Sequence, residues 1–66
     1  MRITFNGEPR ELPDGATVGE LLAELKSPVR HVAVEVNFEV IPRERHDATA
    51  LREGDQVEVV TLVGGG

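Results

Sequence analysis

The residues best suited to chemistry stand at the end of the sequence, VTLVGGG, where an aliphatic run passes directly into Gly64, Gly65 and Gly66. Glycines have no Cβ, so such a segment can enter a narrow channel and adopt backbone conformations closed to other residues. The four residues from Val63 to Gly66 span about 13 Å when extended. The carboxylate of Gly66 could therefore be presented to the active site of another protein.

The chemistry open to such a carboxylate is acyl transfer. A carboxylate is a poor electrophile, but adenylation by a partner enzyme would give it a good leaving group, AMP. A sulfur nucleophile could then displace AMP and leave a thiocarboxylate. By this route a chain without cysteine could carry sulfur covalently. The alternative interpretation is that the glycines are a loose terminal segment without a function.

Other chemically competent residues lack the spacing that a site needs. His31 and His46 lie on different segments without any cysteine, whereas a metal site needs three or four converging ligands, so we interpret both as surface histidines. Glu35, Glu39 and Glu44 are interpreted as parts of a solvated surface. The glycines near the start lack the spacing of a nucleotide-binding loop. We therefore expect no catalytic residue, no metal and no bound cofactor.

Length and charge favour a small binding or carrier module over an enzyme. A chain of 66 residues forms one domain. Such a domain buries only about 60% of its unfolded surface, which leaves little core for a substrate pocket. The net charge of −5 disfavours nucleic-acid binding and favours a partner with a basic surface. Without cysteines, a long apolar run or a signal-like segment, we expect a cytoplasmic protein that does not bind membranes.

The first half of the sequence predicts a β-hairpin followed by a helix. Ile3 and Phe5 alternate with polar residues, as in a half-buried strand, and Asn6-Gly7 is typical of a tight hairpin turn. Pro9 places the returning strand at an edge, because proline has no N–H to donate.

The helix is predicted to begin after Thr17, whose side chain would form a capping box with Glu20. Ser27-Pro28 is predicted to end it, because the residue before a proline is disfavoured in the helical conformation. An apolar stripe along this helix requires a sheet face to cover it. The stripe consists of Val18, Leu21, Leu22 and Leu25.

The second half predicts three more strands. After a valine-rich strand, Asn37-Phe38-Glu39 is predicted as a turn and Val40-Ile41-Pro42 as a short strand. Residues 43–49 are predicted to be a polar surface loop, and Gly54-Asp55 a turn before the last strand, residues 56–63. The order of elements indicates a two-layer α+β fold, with one helix across one face of a mixed sheet of four to five strands.

The last strand has an outer face that changes from polar to apolar toward the glycines. Val57 and Val59 share one parity and should face the helix. Glu58, Val60 and Leu62 share the other and should face outward. A contiguous apolar patch marks an interaction site, whereas scattered exposed apolar residues are ordinary. Both interpretations of this face stay open at this point.

Four segments, FNGEPREL, TVGELLAEL, VAVEVN…VIPR and LREGDQVEVVTLVGGG, together cover essentially the whole chain. In this order the sequence resembles the bacterial sulfur carrier proteins of thiamine biosynthesis (the ThiS family), small β-grasp relatives of ubiquitin. The resemblance implies a β-grasp domain over residues 1–63, and we expect residues 64–66 to form a flexible glycine tail.

The resemblance also implies a cycle with three partner proteins. A ThiF-like adenylating enzyme would use ATP to activate Gly66, a sulfur-donor protein would convert it into a thiocarboxylate, and thiazole synthase would take the sulfur. Gly65 and Gly66 match the terminal pair of the family, while Val60 and Leu62 fall on the surface that partners grip. The chain would then be a protein substrate and not an enzyme.

Two positions depart from the family pattern. Gly64 precedes the terminal pair where many relatives carry a polar residue, which should loosen the tail. Phe38 stands where the family often has the glycine of an Asn-Gly turn. Either it enlarges the exposed apolar surface or the turn is of another type, and we include it in the predicted partner interface.

Several related functions share the same activation step. The chain could carry sulfur for molybdopterin, tRNA thiolation or cysteine synthesis, or it could be a ubiquitin-like modifier of other proteins. An interaction domain with an inert tail is a third class. The short length and the ending VEVVTLVGGG favour thiamine biosynthesis.

Overall fold

The computed structural model describes residues 1–25 and 32–61, and within them it shows one mixed sheet of five strands, one α-helix and one 3-10 helix. The α+β fold class predicted from the element order is confirmed. The elements are β1 (Arg2–Phe5), β2 (Glu8–Glu11), α1 (Val18–Glu24), β3 (Val32–Val36), β4 (Glu39–Ile41), the 3-10 helix (Arg43–Ala48) and β5 (Gln56–Thr61).

β5 occupies the centre of the sheet, in the strand order β2-β1-β5-β3-β4. It runs parallel to β1, with Thr4 opposite Gln56, and antiparallel to β3, with Val34 opposite Val59. Two hairpins, β1–β2 and β3–β4, therefore flank the last strand. Its backbone polar groups have partners on both sides, which is how a sheet satisfies a strand that it encloses.

The first hairpin has the predicted turn and the predicted edge. Asn6 and Gly7 both have positive φ, 48° and 86°, as the tight turn of a two-residue hairpin requires. Pro9 lies in the edge strand β2, opposite Thr4.

The start of α1 also agrees with the sequence. Glu20 donates its N–H to Oγ1 of Thr17 at 3.1 Å, and Thr17 donates its N–H to Oε1 of Glu20 at 2.9 Å, so the capping box is complete. The described helix ends at Glu24, with Leu25 as its C-cap. The predicted stop at Ser27-Pro28 lies outside the described residues.

The hydrophobic core lies between α1 and one face of the sheet. Three residues of the predicted helix stripe are buried, and Leu25 is partly buried against them. Val57 is buried from the sheet side and Val59 packs against the same cluster, so the predicted facing of β5 is confirmed. The buried apolar residues are Ile3, Leu12, Ala16, Val18, Leu21, Leu22, Val34, Leu51 and Val57.

The prediction of a polar surface loop over residues 43–49 was wrong in two respects. Arg43–Ala48 forms a 3-10 helix, and His46 within it is 4% exposed, so His46 is not a surface histidine. The Nε2 atom of His46 donates a hydrogen bond to the carbonyl oxygen of Ile41 at 3.1 Å. This hydrogen bond offsets part of the free-energy cost of burying the ring. His31, the other predicted surface histidine, lies outside the described residues.

The second hairpin turn consists of Asn37 and Phe38, and Glu39 already belongs to β4. Asn37 has a φ of 52° and Phe38 a φ of 69°, so this turn has the same handedness as Asn6-Gly7. Left-handed backbone is strained for a bulky residue, because Cβ crowds the neighbouring carbonyl oxygen. The turn is therefore of the Asn-Gly kind, with phenylalanine at the glycine position.

We expect Phe38→Gly to raise the free energy of unfolding by about 1 kcal/mol. The left-handed conformation costs roughly 1–2 kcal/mol for a residue with a Cβ, and the larger unfolded-state entropy of glycine offsets part of the gain. Urea denaturation measures the difference.

The matched control is Gly7→Phe, which places the same side chain at the same position of the other turn. A Cβ at Gly7 would have no atom within 4 Å, so the cost there is conformational and not steric. We expect Gly7→Phe to lower stability by a similar amount. If Phe38→Gly and Gly7→Phe both raise, or both lower, the free energy of unfolding, the assignment of strain to Phe38 is wrong.

Candidate functional site

The candidate site is the outer face of the sheet near the end of β5, opposite the face that α1 covers. The register puts Val60 opposite Ala33, and Glu58 opposite Glu35, on this outer face. Val60 is 55% exposed, as predicted for an outward residue of the last strand. We call the outer-face positions of β3, β4 and β5 the outer patch: Ala33, Glu35, Val40, Gln56, Glu58 and Val60.

The structure places only part of the predicted site. Phe38 is 82% exposed at the tip of the β3–β4 hairpin. In the sequence it stands two residues before Val40 of the outer patch. Leu62, Gly64, Gly65 and Gly66 lie outside the described residues. The assignment of Phe38, Val60 and Leu62 to a partner interface thus stays a prediction.

Sequence reasoning missed Val40 as a member of this surface. Val40 is 65% exposed, and it lies opposite Glu35 on the side away from Glu58. Because β4 has three residues, its alternation is too short to show which face each side chain joins. The usable signal was its pairing partner, since Glu35 has the parity of an outward residue in β3.

The outer patch is acidic. Glu35 and Glu58 are directly opposite across neighbouring strands, and like charges in this arrangement repel each other. Within residues 1–25 and 32–61, the ion pairs join Arg2 to Glu11, Arg10 to Glu24 and the N-terminal ammonium to Asp14, and none involves this pair. A basic group on a partner would relieve the repulsion, which agrees with the basic docking surface expected from the net charge.

Asn6 fixes the end of β5 that leads to the glycines. Its side-chain Oδ1 accepts the N–H of Val59 at 2.8 Å, and its Nδ2 donates to the Val59 carbonyl at 3.1 Å. The backbone N–H of Asn6 donates to the carbonyl of Val57 at 2.9 Å. Beyond Phe5, where β1 ends, the side-chain amide of Asn6 thus takes the place of a β1 backbone group in pairing with β5.

Asn37 fixes the other end of β5 in a similar way. It exchanges two hydrogen bonds with Gln56, through its own N–H at 2.7 Å and its Oδ1 at 3.0 Å. Its Nδ2 donates to Oδ1 of Asp55 at 3.0 Å, and Oδ2 of Asp55 accepts the N–H of Arg52 at 2.8 Å. The Asn37-Phe38 turn is therefore tied to the residues that begin the last strand.

The described residues contain no group of three or more His, Cys, Asp or Glu side chains that could hold a metal ion. In the same part of the chain, none of the helices is long and apolar enough to cross a membrane.

A mixed five-stranded sheet in this order, with one helix across one face and the last strand in the centre, defines a small β-grasp protein of the ubiquitin-like class. The model of the ThiS family matches residues 3–66. The chain belongs to the ThiS family.

Individual relatives agree with this family assignment. The crystal structure of thiamine biosynthesis protein ThiS from Geobacter metallireducens superposes with a TM-score of 0.87 at 42% identity and covers 100% of both chains. Sulfur carrier protein ThiS of Escherichia coli is 32% identical over 66 residues, again over all of both chains.

A thiazole synthase of Paramagnetospirillum magneticum is 41% identical over all 66 residues of this chain. The chain spans only 20% of the length of that relative. A segment similar to this chain therefore occurs within a longer protein named for thiazole synthesis.

We expect Asn6→Gly to expose the end of β5 while keeping the turn. Glycine tolerates the positive φ, but the two hydrogen bonds to Val59 are lost, so the free energy of unfolding should fall by about 1 kcal/mol. Amide hydrogen exchange at Val59 should become faster, whereas exchange at Gln56 should stay unchanged.

The companion variant is Asn37→Gly, which removes the side-chain hydrogen bonds at the other end of β5. Here exchange should become faster at Gln56 and stay unchanged at Val59. If both variants accelerate exchange along the whole of β5, the two asparagines do not act locally as described.

Proposed function

We propose that the chain is a sulfur carrier of thiamine biosynthesis and that its reactive group is the carboxylate of Gly66. The observation that carries this proposal is the match to a sulfur carrier protein of the same family, which covers that relative and this chain completely, up to Gly66. The chain supplies no catalytic residue. The enzymes that act on it supply the chemistry.

The carrier cycle begins with adenylation. A carboxylate oxygen of Gly66 attacks the α-phosphorus of ATP in the adenylating partner, and pyrophosphate leaves. The terminal sulfur of a donor persulfide then attacks the carbonyl carbon, and AMP leaves. A second donor thiol attacks the donor sulfur of the resulting acyl disulfide, which forms a disulfide on the donor side and releases the thiocarboxylate.

Thiazole synthase is the proposed acceptor of the sulfur. Support comes from the thiazole synthase of P. magneticum, which contains a segment 41% identical to this chain. Covalent connection of a carrier to the enzyme it serves raises the effective concentration of the carrier at the active site. The cycle requires ATP, which is compatible with the cytoplasmic location expected from the sequence.

The domain contributes position and recognition. β5 is held at both ends by Asn6 and Asn37, so the segment that follows it starts from a fixed place in the sheet. Val60 near the end of β5 and Leu62, two residues further along the sequence, form the contact with the adenylating partner. The carboxylates of Glu35 and Glu58 add attraction to a basic surface.

Incubation with a ThiF-like adenylating enzyme, ATP and a persulfide donor should raise the intact mass by one oxygen-to-sulfur exchange. The variant that lacks Gly66 and a variant with one residue added after Gly66 should stay unmodified, because both misplace the reactive carboxylate. An unchanged mass of the wild-type chain, or lysine-linked adducts in place of the thiocarboxylate, would argue against the proposal.

The double variant Val60→Asp/Leu62→Asp should raise the KM of the adenylating enzyme for the carrier by about tenfold or more, since each change puts a charge into an apolar contact. Circular dichroism should show an unchanged fold, because Val60 lies outside the core. Thr4→Asp, a charge on the same sheet face in β1, is the control. If Thr4→Asp raises KM as much as the double variant does, the added negative charge explains the effect, and an apolar contact at Val60 and Leu62 is not supported.

A further inference from the structure

Phe38 combines a backbone conformation that lowers the stability of the isolated domain with a side chain that gains no stability from burial. Its backbone has a φ of 69°, which favours glycine, and its side chain is 82% exposed to water. The hydrophobic core and the residues packed against it do not include Phe38. Intramolecular packing therefore does not account for an aromatic side chain at this position, and strained residues of this kind concentrate at functional sites.

The neighbours of Phe38 hold it in this conformation. Asn37 makes two hydrogen bonds to Gln56 and a third to Asp55, and Asp55 is held in turn by the N–H of Arg52. The tip of the hairpin is thus fixed before any partner arrives. An aromatic side chain on a fixed backbone loses little entropy on binding, which is the property of an interface anchor.

The charge around the tip indicates what kind of surface it meets. The hairpin from Val32 to Ile41 contains Glu35 and Glu39 and no basic residue. Behind the turn, Asp55 and Arg52 carry opposite charges, so the tip is acidic on balance. A second copy of this chain would bring the same acidic hairpin and a net charge of −5 to the contact. An apolar pocket with arginine or lysine at its rim complements both the ring and the charge.

The outer patch runs along β5 from the hairpin tip, beside the start of the strand, to the Val60 end. Glu35 lies between Val40 in β4 and Glu58 in β5, and Val60 follows Glu58 on the same face. Because β3 and β5 are antiparallel, the hairpin tip lies beside the start of β5, at the other end of the outer patch from Val60. The exposed Val40 lies between the two ends. About five residues of extended chain, roughly 17 Å, separate Val60 from the tip. A protein interface of standard size spans this distance, so we expect one partner to cover both Val60 and Phe38.

We propose that Phe38 is a preorganised anchor that inserts into an apolar pocket, rimmed by basic side chains, on the adenylating partner. This inference rests on the proposed function, because it assigns a further recognition element to the enzyme that activates Gly66. It concerns binding of the carrier and not the chemistry at its carboxylate.

The test is ATP–pyrophosphate exchange by the purified ThiF-like enzyme of the same organism, with this chain as the varied substrate. Phe38→Gly should raise the KM for the carrier by about tenfold, because aromatic anchors dominate interface energies. The melting temperature of the same variant should rise, since the strain is relieved. Phe38→Trp should restore the wild-type KM to within about threefold, because it keeps an aromatic anchor.

Gly15→Phe is the matched control, since it adds an exposed phenylalanine at a φ of 83° in the turn before α1, and α1 covers the face opposite the outer patch. It should lower the melting temperature and leave KM unchanged. A residue with a merely structural role would move stability and binding in the same direction, whereas an anchor moves them in opposite directions.

The outcomes separate the two proposals. If the wild-type chain supports exchange and becomes a thiocarboxylate, but Phe38→Gly has the wild-type KM, the anchor is overturned and the carrier function stands. If sedimentation shows a wild-type dimer that Phe38→Gly dissociates, the occupant is a second copy and the anchor is again overturned. If the wild-type chain supports no exchange, the carrier function fails, and the anchor fails with it.

Discussion

The position of β5 between two asparagine turns is the constraint on which the rest of the structure depends. Asn6 bonds both backbone groups of Val59, and Asn37 bonds both backbone groups of Gln56, so the last strand is held near each end. Both asparagines have positive φ, a conformation that this residue type tolerates better than most. The same two residues thus turn the hairpins and fix the central strand, and the chain after β5 starts from a defined point.

This arrangement divides the sheet into two faces with different tasks. Val34 and Val57 are buried under α1, while their neighbours Glu35 and Glu58 point to the other side. In a chain of 66 residues the core is small, which leaves little of it for a substrate pocket. We therefore expect function on the outer face and in the segment beyond β5, as for a domain that other proteins act upon.

The predictable parts were those with a local physical cause. The Asn6-Gly7 turn and the Thr17 capping box follow from single residues with strong preferences, and the helix stripe follows from spacing. The burial of His46 was missed because one inward residue in a short 3-10 helix gives no periodic signal. The φ of Phe38 was left open because phenylalanine disfavours that conformation, and hydrogen bonds formed elsewhere in the fold, by Asn37 to Asp55 and Gln56, impose it.

A carrier must leave one partner to reach the next, and this requirement limits how its surface can achieve affinity. Large apolar interfaces dissociate slowly, and in the part of the chain that the structure describes the large exposed apolar residues are Phe38, Val40 and Val60. Negative charge speeds encounter with a basic surface and adds little to residence time. A fixed aromatic residue at a hairpin tip adds affinity without enlarging the contact area. If Phe38 is the proposed anchor, its strain is the cost, in stability of the free domain, of a contact that is both specific and short-lived.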